Sequence, residues 1–218
     1  MSSPTRLALS LTAAGLALLS ARVLLTRSLD MTFLAWNVGL AWLALGLVRL
    51  ALRWLALRRA RESTAAWLPV SVLAWLFFPN TIYLVSDLAH ANYGRGPMRW
   101  CDTAMVGTFG LVGAALAVAC LEDVRRAVHA RLGEPASWLA CALVWVSAGA
   151  GVWLGRVRRW NSWDAVLDPL AVLADALAHF AHPRAHPATW APTLAYAAIL
   201  AALQIGARAE HAPASRTA

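Results

Sequence analysis

The chain has 218 residues, of which 60% are hydrophobic and 14% charged, and its mean hydropathy is +0.57. Soluble domains carry about 25% charged residues to cover their surface, so this composition argues against a water-soluble fold; high apolar content, ordinary glycine and proline and three cysteines argue against disordered, collagen-like and disulfide-scaffold classes. The net charge of +8 comes from 19 arginines, with no lysine, against 11 acidic residues, and because the arginines cluster between apolar runs they point to topology and anionic head groups rather than to nucleic acid.

A bilayer span needs about 20 predominantly apolar residues, and six such runs are expected, at 7–26, 32–52, 66–86, 103–121, 137–155 and 189–207. The first follows Arg6 like a secretory signal, but Leu-Ser-Ala-Arg at 19–22 is a poor cleavage site, so it reads as a retained helix with Arg22 snorkelling to the interface. A tight turn at 27–31 makes the first two runs an antiparallel hairpin. The third run carries Pro79, which removes a backbone donor and is expected to kink the helix, freeing a carbonyl near residue 75 that Asn80 is placed to satisfy. Small residues at Gly107, Gly110 and Gly113 in the fourth run, and at Gly149, Gly151 and Gly155 in the fifth, read as packing seams. The stretch 165–182 places Asp168, Asp175, His179 and His182 on one helical face and is expected to lie along the interface or re-enter; a seventh crossing is the alternative.

Topology follows from arginine counting. The densest cluster, Arg49, Arg53, Arg58, Arg59 and Arg61, belongs in the cytoplasm, and with six spans that side collects eleven arginines against eight. The N-terminus is then cytoplasmic, and the loops after the third and fifth spans are extracytoplasmic.

Two polar blocks interrupt the apolar pattern. In the first, Asn80, Tyr83, Asp87 and His90 follow at spacings of three, four and three, one face of a continuing helix that lipid would not cover. The second, 155–164, closes the fifth span with Arg156, Arg158, Arg159, Trp160, Asn161, Ser162, Trp163 and Asp164. The six-span topology puts both at the same boundary.

Phe-Pro-Asn at 78–80 with Tyr83, Asp87 and His90, followed by Gly155-Arg156 and the string Arg159-Trp160-Asn161-Ser162-Trp163-Asp164, resembles the two signature blocks of domain-of-unknown-function family 1361. The resemblance covers most of the chain, from the second span to the last. It implies a multi-pass protein of the bacterial inner membrane, and it brings no assigned activity and no residue roles.

The expected architecture is therefore a single all-α membrane bundle over residues 1–218, with six or seven spans. Asp87 and His90 are the acid/base candidates; Asn80, Tyr83, Arg156, Arg159, Asn161 and Asp164 are the candidates for binding an anionic, lipid-proximal ligand, because arginine matches phosphate oxygens with two parallel donors. The opposing readings are an interfacial ion pair with an aromatic-belt anchor, and a transporter with a discontinuous helix at Pro79. Neither a metal nor another cofactor is expected, since a metal needs at least three protein ligands and the spacing supplies them only if the 165–182 segment folds back. The lipid bilayer, and an anionic lipid or phosphate-bearing ligand within it, are the expected partners.

Overall fold

The computed structural model describes residues 2–58, 67–92 and 98–210, and among these every regular element is helical. α1 (Ser3–Thr26) ends at Arg27 in the left-handed conformation, φ 55°, with its N–H closing on the Val23 carbonyl. A turn in which Ser28 Oγ donates to Asp30 reverses the chain into α2 (Phe33–Arg58). α3 (Trp67–Phe77) and α4 (Pro79–Ser86) form one path interrupted at Phe78, and a 3-10 turn (Asp87–Asn92) follows. α5 (Met98–Trp153) runs 56 residues and passes into a π-helical turn (Leu154–Arg158); α6 (Asp164–Leu167), α7 (Pro169–Phe180) and α8 (Pro187–Ala209) complete the chain.

α5 is two antiparallel arms. They meet at Gly133, whose φ of 82° with ψ of −179° is open in practice only to glycine. Gln204 on α8 donates at 3.0 Å to Glu122 in one arm and at 3.4 Å to Cys141 in the other. Along a straight helix those two residues would stand about 28 Å apart, so one glutamine reaches both only because the arms run back along each other. α4 likewise lies against Gly113 of the first arm and Gly151 of the second.

Among the described residues five helices are long and apolar enough to cross a membrane, namely Ser3–Thr26, Phe33–Leu57, Trp67–Ala89, Met98–Arg158 and Pro187–Ala209; the fourth of these is the one that doubles back. Their faces are sorted for lipid. α1 buries Thr5, Ala8, Gly15 and Leu19 and turns Leu7, Leu9, Leu18 and Leu25 outward, because without water to drive apolar side chains together, helices associate through small residues that let backbones approach. The core between them is filled by Leu34, Ile82, Leu84, Phe109, Leu116 and Leu200.

Several expectations change. The second run does not stop at 52, since α2 continues to Arg58 and carries Arg49 and Arg53 on the helix itself. The fourth run does not stop at 121 either: residues 122–132 stay helical, because their charges are paired on the bundle and need no loop to reach water. Arg22 does not snorkel. Its Nε donates at 2.7 Å to Asp102 Oδ1 on α5, with the Asp102 side chain 2% exposed. The 165–182 segment is broken at Asp168, which caps α7 by accepting from the Ala171 N–H at 3.2 Å, and α7 at 12 residues rises only about 18 Å, too short to span.

Arg22 and Asp102 mark one end of the bundle. Thr5, Arg49 and Asp123 mark the other, where Arg49 donates to Asp123 at 2.9 Å and to Thr5 at 2.8 Å, about 30 Å along the first arm.

A β-carbon built at Gly113 falls 2.2 Å from the Thr81 carbonyl oxygen and 2.7 Å from Leu84 Cβ, whereas one at Gly107 meets nothing within 4 Å. Gly113→Ala should therefore destabilise the bundle by about 1–3 kcal/mol through overpacking, and Gly107→Ala should stay within about 0.5 kcal/mol of wild type. Unfolding by sodium dodecyl sulfate titration from a mild detergent measures both.

Candidate functional site

The chain must stop being an α-helix before it can gather polar groups at its ends, and both blocks do so. Pro79 has no N–H, so the ladder opens there. Asn80 Nδ2 donates at 2.8 Å to the Phe77 carbonyl and Thr81 Oγ1 at 2.8 Å to the Phe78 carbonyl; the carbonyl that Asn80 satisfies is thus that of Phe77, two residues later than the sequence suggested. The second amide contact of Asn80, 2.9 Å to Ser162 Oγ, crosses to the other block. Beyond Ser86 the helix tightens to 3-10 geometry, so Asp87 and His90 do not prolong the face of Asn80 and Tyr83 as α-helical positions.

At the end of α5 the helix widens into the π-turn and stops at Arg159, φ 62°, while the Trp160 N–H returns at 3.2 Å to the Leu154 carbonyl. Such turns alter the direction of successive side chains relative to an α-helix. Here Arg156 goes to α4 and Arg158 to α7.

Arg156 joins the blocks. Its Nη2 donates to Asp87 Oδ1 and, at 3.4 Å, to the Tyr83 carbonyl; its Nε donates at 2.8 Å to Ser86 Oγ. The guanidinium carbon stands 3.9 Å from the Tyr83 ring centroid, a cation–π stack. Gly155 allows that approach, since a β-carbon there would sit 3.1 Å from the same ring. Asp87 is 0% exposed and also accepts from Asn37 Nδ2 at 2.9 Å, so α2, α4 and the end of α5 share one carboxylate. A charge buried this way is tolerable only with its partner and hydrogen bonds in place.

A second ion pair docks α7. Asp175, 13% exposed, accepts from Arg158 Nε at 2.9 Å and from Trp160 Nε1 at 2.6 Å, and the hydrogen bond from Arg158 holds its carboxyl below the ordinary 3.8. The His179 ring contacts the Asp175 carbonyl at 2.8 Å and stacks on Trp153 and His186. The single helical face expected of these four residues is therefore not formed: Asp168 is a cap, Asp175 and His179 face inward, and His182 lies beyond the helix and is exposed. Leu170, Leu173 and Leu177 face outward in their place.

Of the eight residues singled out, Tyr83, Asp87 and Arg156 come together, while Asn80, one turn back on α4, ties to the second block through Ser162 instead. Asn161 and Asp164 do not join them: the Asn161 N–H and Nδ2 both donate to Asp164 Oδ2, at 2.7 and 3.0 Å, in a local exposed turn. Arg159 is exposed at the left-handed position, and the side chain of His90 lies outside the described residues. Asn37 and Ser162 belong to the cluster and were missed as site residues; the signal for Asn37 was a lone amide in an apolar run. No group of three or more His, Cys, Asp or Glu side chains capable of holding a metal occurs among the described residues.

Beside the cluster runs an apolar groove of about 230 Å³, lined by Pro79, Gly151, Leu154 and Phe180, among others, with Trp160, Asn161 and Ser162 on its wall.

Asp87→Ala would strand Arg156 without its carboxylate and should cost about 3–5 kcal/mol, with part recovered in the Asp87→Ala/Arg156→Met double variant. A double-mutant cycle by detergent unfolding tests this.

A family model described as "Protein of unknown function (DUF1361)" matches residues 36–203, which include both polar blocks. Neither curated proteins nor solved structures give a match to the chain.

Proposed function

We propose, for a chain that belongs to the DUF1361 family, that it is a bacterial inner-membrane protein of six crossings which binds an anionic lipid-like molecule in the groove beside the cluster of Asn80, Tyr83, Asp87 and Arg156. The observation carrying this is the groove at Trp160–Ser162, because its apolar lining suits one acyl chain, and Arg159, exposed and one residue before Trp160 in the chain, suits a phosphate. The Asp87–Arg156 pair then shapes the site: its charges answer each other, and Arg156 commits Nε to Ser86 and Nη2 to Asp87 and the Tyr83 carbonyl. Arg159 and the Ser162 hydroxyl, which accepts from Asn80 and keeps its own proton to donate, are the contacts left for the head group. The six crossings are α1, α2, α3 with α4, the two arms of α5, and α8, while α7 lies along the interface.

A photoreactive phosphatidylglycerol should label the wild-type protein more than the matching phosphatidylcholine. Arg159→Gln should reduce that preference about fivefold, the worth of one arginine near a charged surface, and Ala176→Trp, which fills the groove from α7, should reduce labelling by both lipids. Labelling indifferent to both substitutions overturns the proposal. It would leave a helix staple with no ligand, a reading favoured by the complete burial of Asp87.

The same reading places the N-terminus in the cytoplasm, supported by the arginine asymmetry of eleven to eight. Cys101 is exposed at the start of α5, whereas Cys120 and Cys141 are buried. A membrane-impermeant maleimide applied to intact spheroplasts should modify Cys101 alone. Modification only after the membranes are opened inverts the orientation.

A further inference from the structure

The end of the bundle opposite Asp87 holds a larger open cavity, about 690 Å³, between the N-terminus of α1, the first arm of α5 and the end of α8. Its charged lining is Arg125, Arg126, Arg208 and Glu122, three guanidiniums to one carboxylate. Glu122 is already engaged, accepting from Gln204 at 3.0 Å and from Arg125 at 3.3 Å. Arg125 is 11% exposed and shares Glu134 at 3.5 Å, and Arg126 pairs with Asp123 while remaining 57% exposed.

Arg208 is different. Its side chain is 34% exposed and pairs loosely with Glu122, Nη1 standing 3.9 Å from Oε2, while that nitrogen is itself shielded from solvent and has no hydrogen-bond partner. A buried guanidinium N–H left unmade is costly. The side chain is held in position regardless, since the guanidinium carbons of Arg208 and Arg125 lie 5.2 and 5.9 Å from the Trp138 ring. A second observation comes from α1. Its first turn carries no side-chain cap, because Ser2 Oγ bonds Thr5 Oγ1 instead of a backbone N–H, and Ser2, Ser3 and Pro4 line the cavity. An uncapped helix N-terminus presents free N–H groups and the positive end of the dipole.

From the partly exposed Arg208 guanidinium that no carboxylate hydrogen-bonds, the fixed arginine pair and the uncapped turn, we infer that this cavity binds a phosphate group, with Arg208 and Arg126 as its side-chain donors. The phosphate is carried either by an anionic phospholipid of that leaflet or by a soluble phosphate compound. This site is separate from the groove proposed above, and its success or failure does not depend on that reading.

The test uses the full-length protein in phosphatidylcholine nanodiscs, with and without phosphatidylglycerol, and with inorganic phosphate added to lipid-neutral discs. Native mass spectrometry reads retained lipid, and thermal melting reads phosphate. Arg208→Gln and Arg126→Gln should each weaken the responding probe about tenfold, the worth of one charge-assisted hydrogen bond. Arg131→Gln, on the same arm but bonded to its own helix carbonyl, should leave it unchanged. Response to phosphatidylglycerol alone assigns the phosphate to a lipid; response to inorganic phosphate assigns it to a soluble compound. Because Arg126 is exposed, its variant folds even if that of Arg208 does not. Response to neither probe, or equal response in wild type and Arg126→Gln, overturns the inference.

Discussion

A carboxylate that has lost water altogether needs a cation, and Asp87 finds one in Arg156, 69 residues further along the chain. Moving either ion alone into a low-dielectric interior costs several kcal/mol, so the two are tolerable only together. That requirement fixes much else. It brings the end of α5 against α4, demands a glycine at 155 so that the guanidinium can lie on Tyr83, and draws Asn37 of α2 in as a third party. The break at Pro79 and the π-turn after Trp153 are the two departures from regular helix that make the meeting geometrically possible.

The same logic recurs around the bundle. Arg22 with Asp102 ties α1 to α5, Arg49 with Asp123 ties α2 to α5, and Arg158 with Asp175 ties α7 to the second block. Each joins elements distant in sequence. In a bundle where hydrocarbon gives no preference for one apolar contact over another, such pairs set which helices neighbour each other and at what height. α5 is the partner in the first two, and the π-turn that continues it supplies Arg158 to the third.

The helical class and the break at Pro79 could be read from local patterns, namely run length and a proline in an apolar run; the shared position of the two polar blocks came from counting arginines along the spans, and Asp87 meets Arg156 although the 3-10 turn takes it off the α-helical spacing that singled it out. The ends of α2 and of the first arm could not, because Arg49, Arg125 and Arg126 look like loop residues until their acidic partners are known. Arg22 failed for the same cause: Asp102, 80 residues away, leaves no periodic trace near it. Asn161 and Asp164 were misjudged in the other direction. Polar residues three apart satisfy each other within one turn as readily as they reach across a boundary.

α7 wears its polarity inside out. Leu170, Leu173 and Leu177 face outward while Asp175 and His179 turn toward the bundle, the reverse of what water would select. Hydrocarbon acts on this helix as water acts on a soluble one, pressing inward whatever it dissolves least well. With α7 along the interface as proposed, the surrounding lipid would be a component of the fold at this point: strip it away, and α7 keeps only its ion pair to Arg158 while the crossing helices keep their packing.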